Sequence, residues 1–108
     1  MVIYVAGPYR AATPYQIELN IAKAKAVALE VWKRGHYALC PHTNTANFDG
    51  ELADEVFIEG TLELLRRCDA MVLLEGWEKS TGTIGEVCEA SKRKMRIYTD
   101  IEYVPYLV

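Results

Sequence analysis

The side chains best suited to chemistry lie just after an apolar run. The run spans Ala70 to Leu74, and a glycine-containing loop follows it over residues 75–82. A helix is predicted to begin near Thr83, with Glu86 about one turn into it. A carboxylate on a small, mostly apolar segment beside such a loop is the strongest candidate for chemistry. Glu86 is therefore the predicted catalytic residue.

The same loop predicts an anion site. Ser80, Gly82 and Thr83 stand where the helix begins, and a helix start offers unpaired N–H groups and a positive dipole end. Trp77 in this loop either stacks on a nucleobase or covers the edge of the core. All four are predicted to bind substrate. The alternative is that Glu86 is only a helix N-terminal acid, stabilised by the dipole on an inert scaffold.

These residues depend on a predicted α/β fold. Strands are predicted at residues 2–6, 37–40, 69–75 and 95–98, and helices at 15–34, 55–67 and 83–92. This order indicates a flavodoxin-like or Rossmann-like parallel sheet of about four to five strands with helices on both faces. The first and third strands are predicted to be neighbours. Their carboxyl-end loops, Gly7–Arg10 and Gly76–Gly82, would then form one pocket at a topological switch point.

Two further loop residues are candidates for ligand contacts. Arg10 follows the first strand, and guanidinium is a good phosphate partner. His42 follows the second strand in a polar loop over residues 41–50. Either side chain could instead belong to an ordinary solvated loop.

Composition narrows the possible classes of protein and of binding partner. The chain has 108 residues, a net charge of −3 and 51% hydrophobic residues, which predicts one globular domain over residues 1–108. The charge does not favour nucleic-acid binding, and no apolar run is long enough for a membrane span. The three cysteines are expected to be free thiols in a reducing cytoplasm. Without a recognisable metal motif, neither a metal nor another cofactor is expected.

The segment Ser80–Glu86 resembles a known family. Its sequence Ser-Thr-Gly-Thr-Ile-Gly-Glu is similar to the S/D-x-G-x-x-x-E segment of the nucleoside 2-deoxyribosyltransferase superfamily, which includes the 2'-deoxynucleoside 5'-phosphate N-hydrolases. Tyr4, Gly7 and Arg10 match the spacing of that family's Y-x-x-G-x-x-R segment. The resemblance implies that Glu86 attacks C1' of the sugar. It also implies that the earlier segment meets the phosphate or hydroxyl end of the ligand.

The sequence departs from the family at two positions. Pro8 stands where the hydrolases often have Ser, and Thr61 stands where relatives usually have an Asp beside the nucleophile. Thr61 cannot exchange a catalytic proton in the same way, so protonation of the leaving group is unassigned.

The resemblance implies cleavage of the N-glycosidic bond of a (deoxy)nucleotide. Ser80 is similar to the phosphate-binding hydrolases, whereas Asp is usual there in nucleoside transferases, so hydrolysis is favoured. The alternatives are a nucleoside deoxyribosyltransferase and a non-catalytic nucleotide-binding module, which Thr61 favours. The apolar tail Tyr103–Val108 is expected to pack on a neighbouring subunit, and family members complete their pockets with such residues. A homodimer or larger homo-oligomer is therefore expected.

Overall fold

The computed structural model describes residues 1–107, which form a four-stranded parallel sheet covered by helices. The strands are β1 (Val2–Ala6), β2 (Tyr37–Leu39), β3 (Ala70–Leu73) and β4 (Arg96–Tyr98). Their order is β2-β1-β3-β4, and every neighbouring pair is parallel. The predicted parallel α/β fold and the adjacency of the first and third strands are confirmed.

The helices are α1 (Pro14–Lys33), α2 (Pro41–Asn44), α3 (Asp54–Arg66) and α4 (Thr81–Lys92). Short 3-10 turns occupy Trp77–Lys79 and Ile101–Tyr103. The prediction of an irregular loop over residues 41–50 was wrong at its start. Pro41 stands in the first turn of α2, where its fixed φ suits a helix and its missing N–H costs nothing.

Successive side chains of a strand point to opposite faces of the sheet, and each face has its own apolar core. From β1, Ile3 and Val5 join a core that also contains Ala24 and Val31 of α1. Tyr4 and Ala6 point to the opposite face and pack in the core beneath α3 and α4. Helices therefore cover both faces of the sheet, as predicted.

The loops that follow β1 and β3 lie side by side. The backbone N–H of Leu74 donates to the carbonyl of Ala6 at 2.8 Å, which continues the pairing beyond the two strands. A Cβ atom at Gly7 would lie 2.5 Å from the side chain of Leu74. Gly7 is thus required for close packing of these two loops. Their meeting at the carboxyl ends of β1 and β3 agrees with the predicted switch point.

The C-terminal tail packs against its own chain through residue 107. The Arg34 guanidinium donates to the carbonyls of Ile101 and Val104 at 2.8 and 2.9 Å, and the Leu107 N–H donates to the Arg34 carbonyl at 2.9 Å. A ring nitrogen of His36 lies 2.8 Å from the Pro105 carbonyl. His36 immediately precedes β2, so the tail lies near the amino ends of the strands. These contacts within the chain bury Val104 without a neighbouring subunit. Packing of the tail on a neighbour stays a prediction, and Val108 lies outside the described residues.

No helix within residues 1–107 has both the length and the apolarity that crossing a membrane requires.

Candidate functional site

A hydrogen bond between Tyr4 and Glu86 forms the centre of the candidate site. Tyr4 lies in the middle of β1 and is fully buried, while Glu86 lies on α4 and is half-buried. The Tyr4 hydroxyl donates to Oε2 of Glu86. The fold thus joins two of the predicted site residues, which are 82 positions apart in sequence.

The environment of Glu86 favours its protonated form. Burial raises the pKa of Glu86 from 4.5 to about 7, and the hydrogen bond from Tyr4 only partly opposes this change. The helix dipole does little to oppose this rise in pKa. α4 begins at Thr81, so Glu86 is in its second turn, and the dipole effect fades within the first turn. A carboxyl group with this pKa can exist in either form near neutral pH.

Tyr4 keeps its proton firmly. Burial raises the pKa of the Tyr4 phenol far above its ordinary value, and the negative charge of Glu86 raises it further. The phenol is therefore a neutral hydrogen-bond donor at any physiological pH. Its role in the pair is to hold one oxygen of the Glu86 carboxyl group in place.

Thr61 of α3 lies beside this pair. The nearby Thr61 side chain lowers the pKa of Tyr4, and Oγ1 of Thr61 donates its proton to the Ile58 carbonyl at 3.0 Å. Glu59 instead forms an ion pair with Arg66 at 3.5 Å. Glu59 is mostly exposed and has its own partner, so it does not replace the Asp that relatives have at the position of Thr61. At this position the site has the hydroxyl of Thr61 in place of a carboxylate.

The start of α4 uses its polar side chains for capping. The Ser80 hydroxyl is the N-cap and accepts from the Thr83 N–H at 3.3 Å and from the Thr83 hydroxyl at 2.9 Å. Thr83 is buried, whereas Gly82 is exposed. The N–H groups of Thr81 and Gly82 have no intrahelical acceptor in an α-helix. Anion binding here would therefore depend on backbone N–H groups more than on the Ser80 side chain.

His42 is buried beneath the loop that follows β1. Its Nε2 lies 2.9 Å from the Pro8 carbonyl, which requires Nε2 to carry the proton, and its ring packs edge-on against Tyr9. Nδ1 is buried without a hydrogen-bond partner. Burial lowers the pKa of His42, so the ring is neutral. His42 connects α2 to the loop after β1, which gives it a structural role at the border of the site.

Arg10 and Trp77, which were both predicted to bind substrate, contact other residues of the protein. Arg10 pairs with Asp54 at 2.7 Å, and both side chains are mostly exposed. Trp77 is half-buried and packs against the core beneath α3 and α4. This position of Trp77 favours the interpretation that it covers the edge of the core.

An open depression lies between α2 and α3 next to Thr61. Its lining residues are mostly apolar or uncharged: Pro41, Asn44, Thr45, Val56, Phe57, Gly60, Thr61, Glu63 and Leu64. No motif in the sequence predicts this surface, and its one local signal is Pro41, which marks the start of α2. Within residues 1–107, no three His, Cys, Asp or Glu side chains are grouped so that they could hold a metal ion.

Comparison with known proteins gives a family and a related fold. The model of the family described as Domain of unknown function (DUF7768) matches residues 1–100. No curated protein matches the sequence. A solved structure of the 2-deoxyribosyltransferase from the psychrotolerant bacterium Bacillus psychrosaccharolyticus is similar, with 19% identity and a TM-score of 0.64. The match covers 90% of this chain and 69% of the transferase, and it shows a shared fold. The chain belongs to the DUF7768 family.

Proposed function

We propose that this DUF7768 protein hydrolyses the N-glycosidic bond of a (deoxy)nucleotide and that Glu86 is the nucleophile. The observation that carries the proposal is the hydrogen bond from Tyr4 to Glu86 beside the loops that follow β1 and β3. The fold shared with a 2-deoxyribosyltransferase, an enzyme named for the transfer of a 2-deoxyribosyl group, supports it. Residues 1–108 are taken as one domain of this type.

In the proposed reaction, the ionised carboxylate of Glu86 attacks C1' of the sugar. The bond between C1' and the base nitrogen breaks, and its electron pair leaves with the base. The result is a glycosyl ester of Glu86. Water then adds its oxygen to C1', which frees the sugar and restores the carboxylate, and the proton that this water loses neutralises the departed base. Tyr4 holds Oε2, so the other carboxylate oxygen is available for attack.

The phosphate of the substrate is proposed to bind at the start of α4, near Ser80 and Gly82. The exposed N–H groups of that first turn and the positive end of the helix dipole suit an anion. Arg10 can contribute only if it exchanges the Asp54 carboxylate for the phosphate. Because the Arg10–Asp54 pair is exposed to water, that exchange costs little.

The test measures, by chromatography, the release of free base from a panel of 5'-monophosphates and the corresponding nucleosides. We expect release by the wild type and by Glu78→Gln, an exposed control in the preceding turn, and none by Glu86→Gln. Wild-type turnover by Glu86→Gln would refute the role of Glu86. If a second free base were incorporated to give a new nucleoside, the activity would be a deoxyribosyltransferase.

A non-catalytic nucleotide-binding module is the second candidate. The observation that favours it is the hydroxyl of Thr61 beside the pair, where no second carboxylate is present. Calorimetric binding of a nucleotide without any base release, at every pH from 6 to 9, would establish this alternative.

A further inference from the structure

Three hydrogen-bond donors at the Tyr4–Glu86 pair already have acceptors. The Tyr4 hydroxyl donates to Glu86 itself, and the Thr61 hydroxyl donates to the Ile58 carbonyl at 3.0 Å. The Cys68 thiol, which lies near Tyr4, donates to the Leu64 carbonyl at 3.4 Å. Burial also raises the pKa of Cys68 to about 11, so this thiol keeps its proton.

The groups at the border of the site are also committed. The ring N–H of His42 is used by the Pro8 carbonyl, and the ring is neutral. Asp54 is paired with Arg10 at 2.7 Å. Glu63, the one acidic residue that lines the depression between α2 and α3, is paired with Arg67 at 3.1 Å. Apart from Glu86, which the reaction uses as a carboxylate, none of these groups among residues 1–107 is a protonated acid free to act on a leaving base.

This distribution of donors limits which bases can leave. A neutral purine takes a proton as its glycosidic bond breaks, and a positioned general acid contributes about 10²–10⁴-fold to such a step. A base that is cationic in the nucleotide needs no proton. The electron pair of the breaking bond neutralises its ring charge, and the base leaves as a neutral molecule.

We infer that the preferred substrates are nucleotides with a cationic base, such as an N7-alkylated purine or an N-linked pyridinium. The inference rests on the proposed function and specifies its substrate class. C1' gains a bond to Glu86 and loses its bond to the base nitrogen, and no proton is transferred until water adds to the glycosyl ester. No proton donor for the base is required.

The charges of the site suit such a base. The Glu86 carboxylate is the negative group nearest to the reacting carbon, and the lining beside Thr61 offers apolar contacts for a flat ring. A bound cation also favours the ionised form of Glu86. Binding of the substrate would therefore increase the fraction of Glu86 that can attack.

The test uses pairs of substrates that differ by one methyl group. Enzyme-dependent base release is measured for 7-methyl-2'-deoxyguanosine 5'-monophosphate and for its unmethylated parent, after subtraction of spontaneous release. The ribonucleotide pair is measured in parallel. We expect the methylated member of a pair to react at least about 100-fold faster, as expected where no general acid assists the neutral base.

The outcomes separate this inference from the proposed function. Equal release of the two members, lost in Glu86→Gln, would leave the proposed function intact and overturn the preference for a cationic base. An absence of enzyme-dependent release from every substrate would overturn both.

A second variant pair places an acid beside the site. Thr61→Asp should raise the rate for the parent relative to the methylated substrate by at least about tenfold, because it supplies the missing proton donor. Thr61→Asn, which matches it in shape, should not change the ratio. The parent rate of Thr61→Asp should also fall at high pH as the new acid ionises. An unchanged ratio in both variants would overturn the placement of the leaving base beside Thr61.

Discussion

Replacement of Glu86 by Gln should stabilise the protein at alkaline pH. Burial raises the pKa of Glu86 from 4.5 to about 7, so ionisation of this side chain is less favourable in the folded state than in the unfolded chain. The amide of Gln keeps the shape and can still accept from Tyr4, but it cannot ionise. The variant therefore removes the cost of a half-buried charge.

The sign and size of the effect follow from the two pKa values. Below pH 4.5 Glu86 is protonated in both states and contributes no pH dependence. As the pH rises from 4.5 to about 7, the unfolded chain releases the proton while the folded state retains it, so the free energy of unfolding falls. A pKa difference of one corresponds to about 1.4 kcal/mol, and partial exposure reduces the total. We expect a loss of about 1–3 kcal/mol above neutral pH.

The measurement is urea unfolding at pH 4, 6 and 8, followed by the fluorescence of Trp32 and Trp77. At pH 4, the difference in free energy of unfolding between Glu86→Gln and the wild type reflects only the change of side chain. This difference should shift in favour of the variant at pH 6 and further at pH 8. Glu78→Gln is the matched control, because Glu78 is exposed, and its difference from wild type should not change with pH. A difference between Glu86→Gln and the wild type that stays constant or shrinks from pH 4 to pH 8 would refute the reasoning.

Four further predictions concern the site and the assembly. Tyr4→Phe removes the bond that lowers the pKa of Glu86, so the rise of kcat/KM with pH, measured on a nucleoside, should move to higher pH; an unmoved profile would contradict this. Arg10→Ala should weaken nucleotide binding by about 1.5–3 kcal/mol more than nucleoside binding in calorimetry, whereas equal losses would mean that Arg10 does not contact phosphate. Base release should survive EDTA and dialysis, and recovery with one divalent ion alone would oppose this. Light scattering should give a homodimer or larger assembly, because Tyr103, Tyr106 and Leu107 remain exposed; a monomer mass at micromolar concentration would contradict it.

The sequence predicted the elements well because their signals are local. The apolar run at β3 and the helical periodicity of α1 each arise from neighbouring residues, and their observed bounds lie within about two residues of prediction. The adjacency of β1 and β3 followed from connection rules for parallel sheets. The start of α4 was predicted two residues late, because Ser80 was interpreted as a ligand residue and its role as the N-cap was not recognised.

The contacts of the site could not be predicted in the same way. The bond from Tyr4 to Glu86 and the pairing of Arg10 with Asp54 join residues that are distant in sequence and depend on side-chain packing across the sheet. Burial, which dominates the pKa of Glu86, is likewise a property of the assembled fold. The chemical candidates could be named from the sequence, whereas their protonation states required the structure.

The position of Glu86 bears on whether it is merely a helix-stabilising acid. An acid that serves the helix dipole belongs in the first turn, where the dipole lowers its pKa. Glu86 lies in the second turn, and its pKa is raised by burial against a tyrosine that is itself buried. An apolar pair at the same two positions would avoid the cost of burying these polar groups. A carboxyl group held at a cost to stability, with a pKa near neutral and a single oriented partner, has the character of a functional residue.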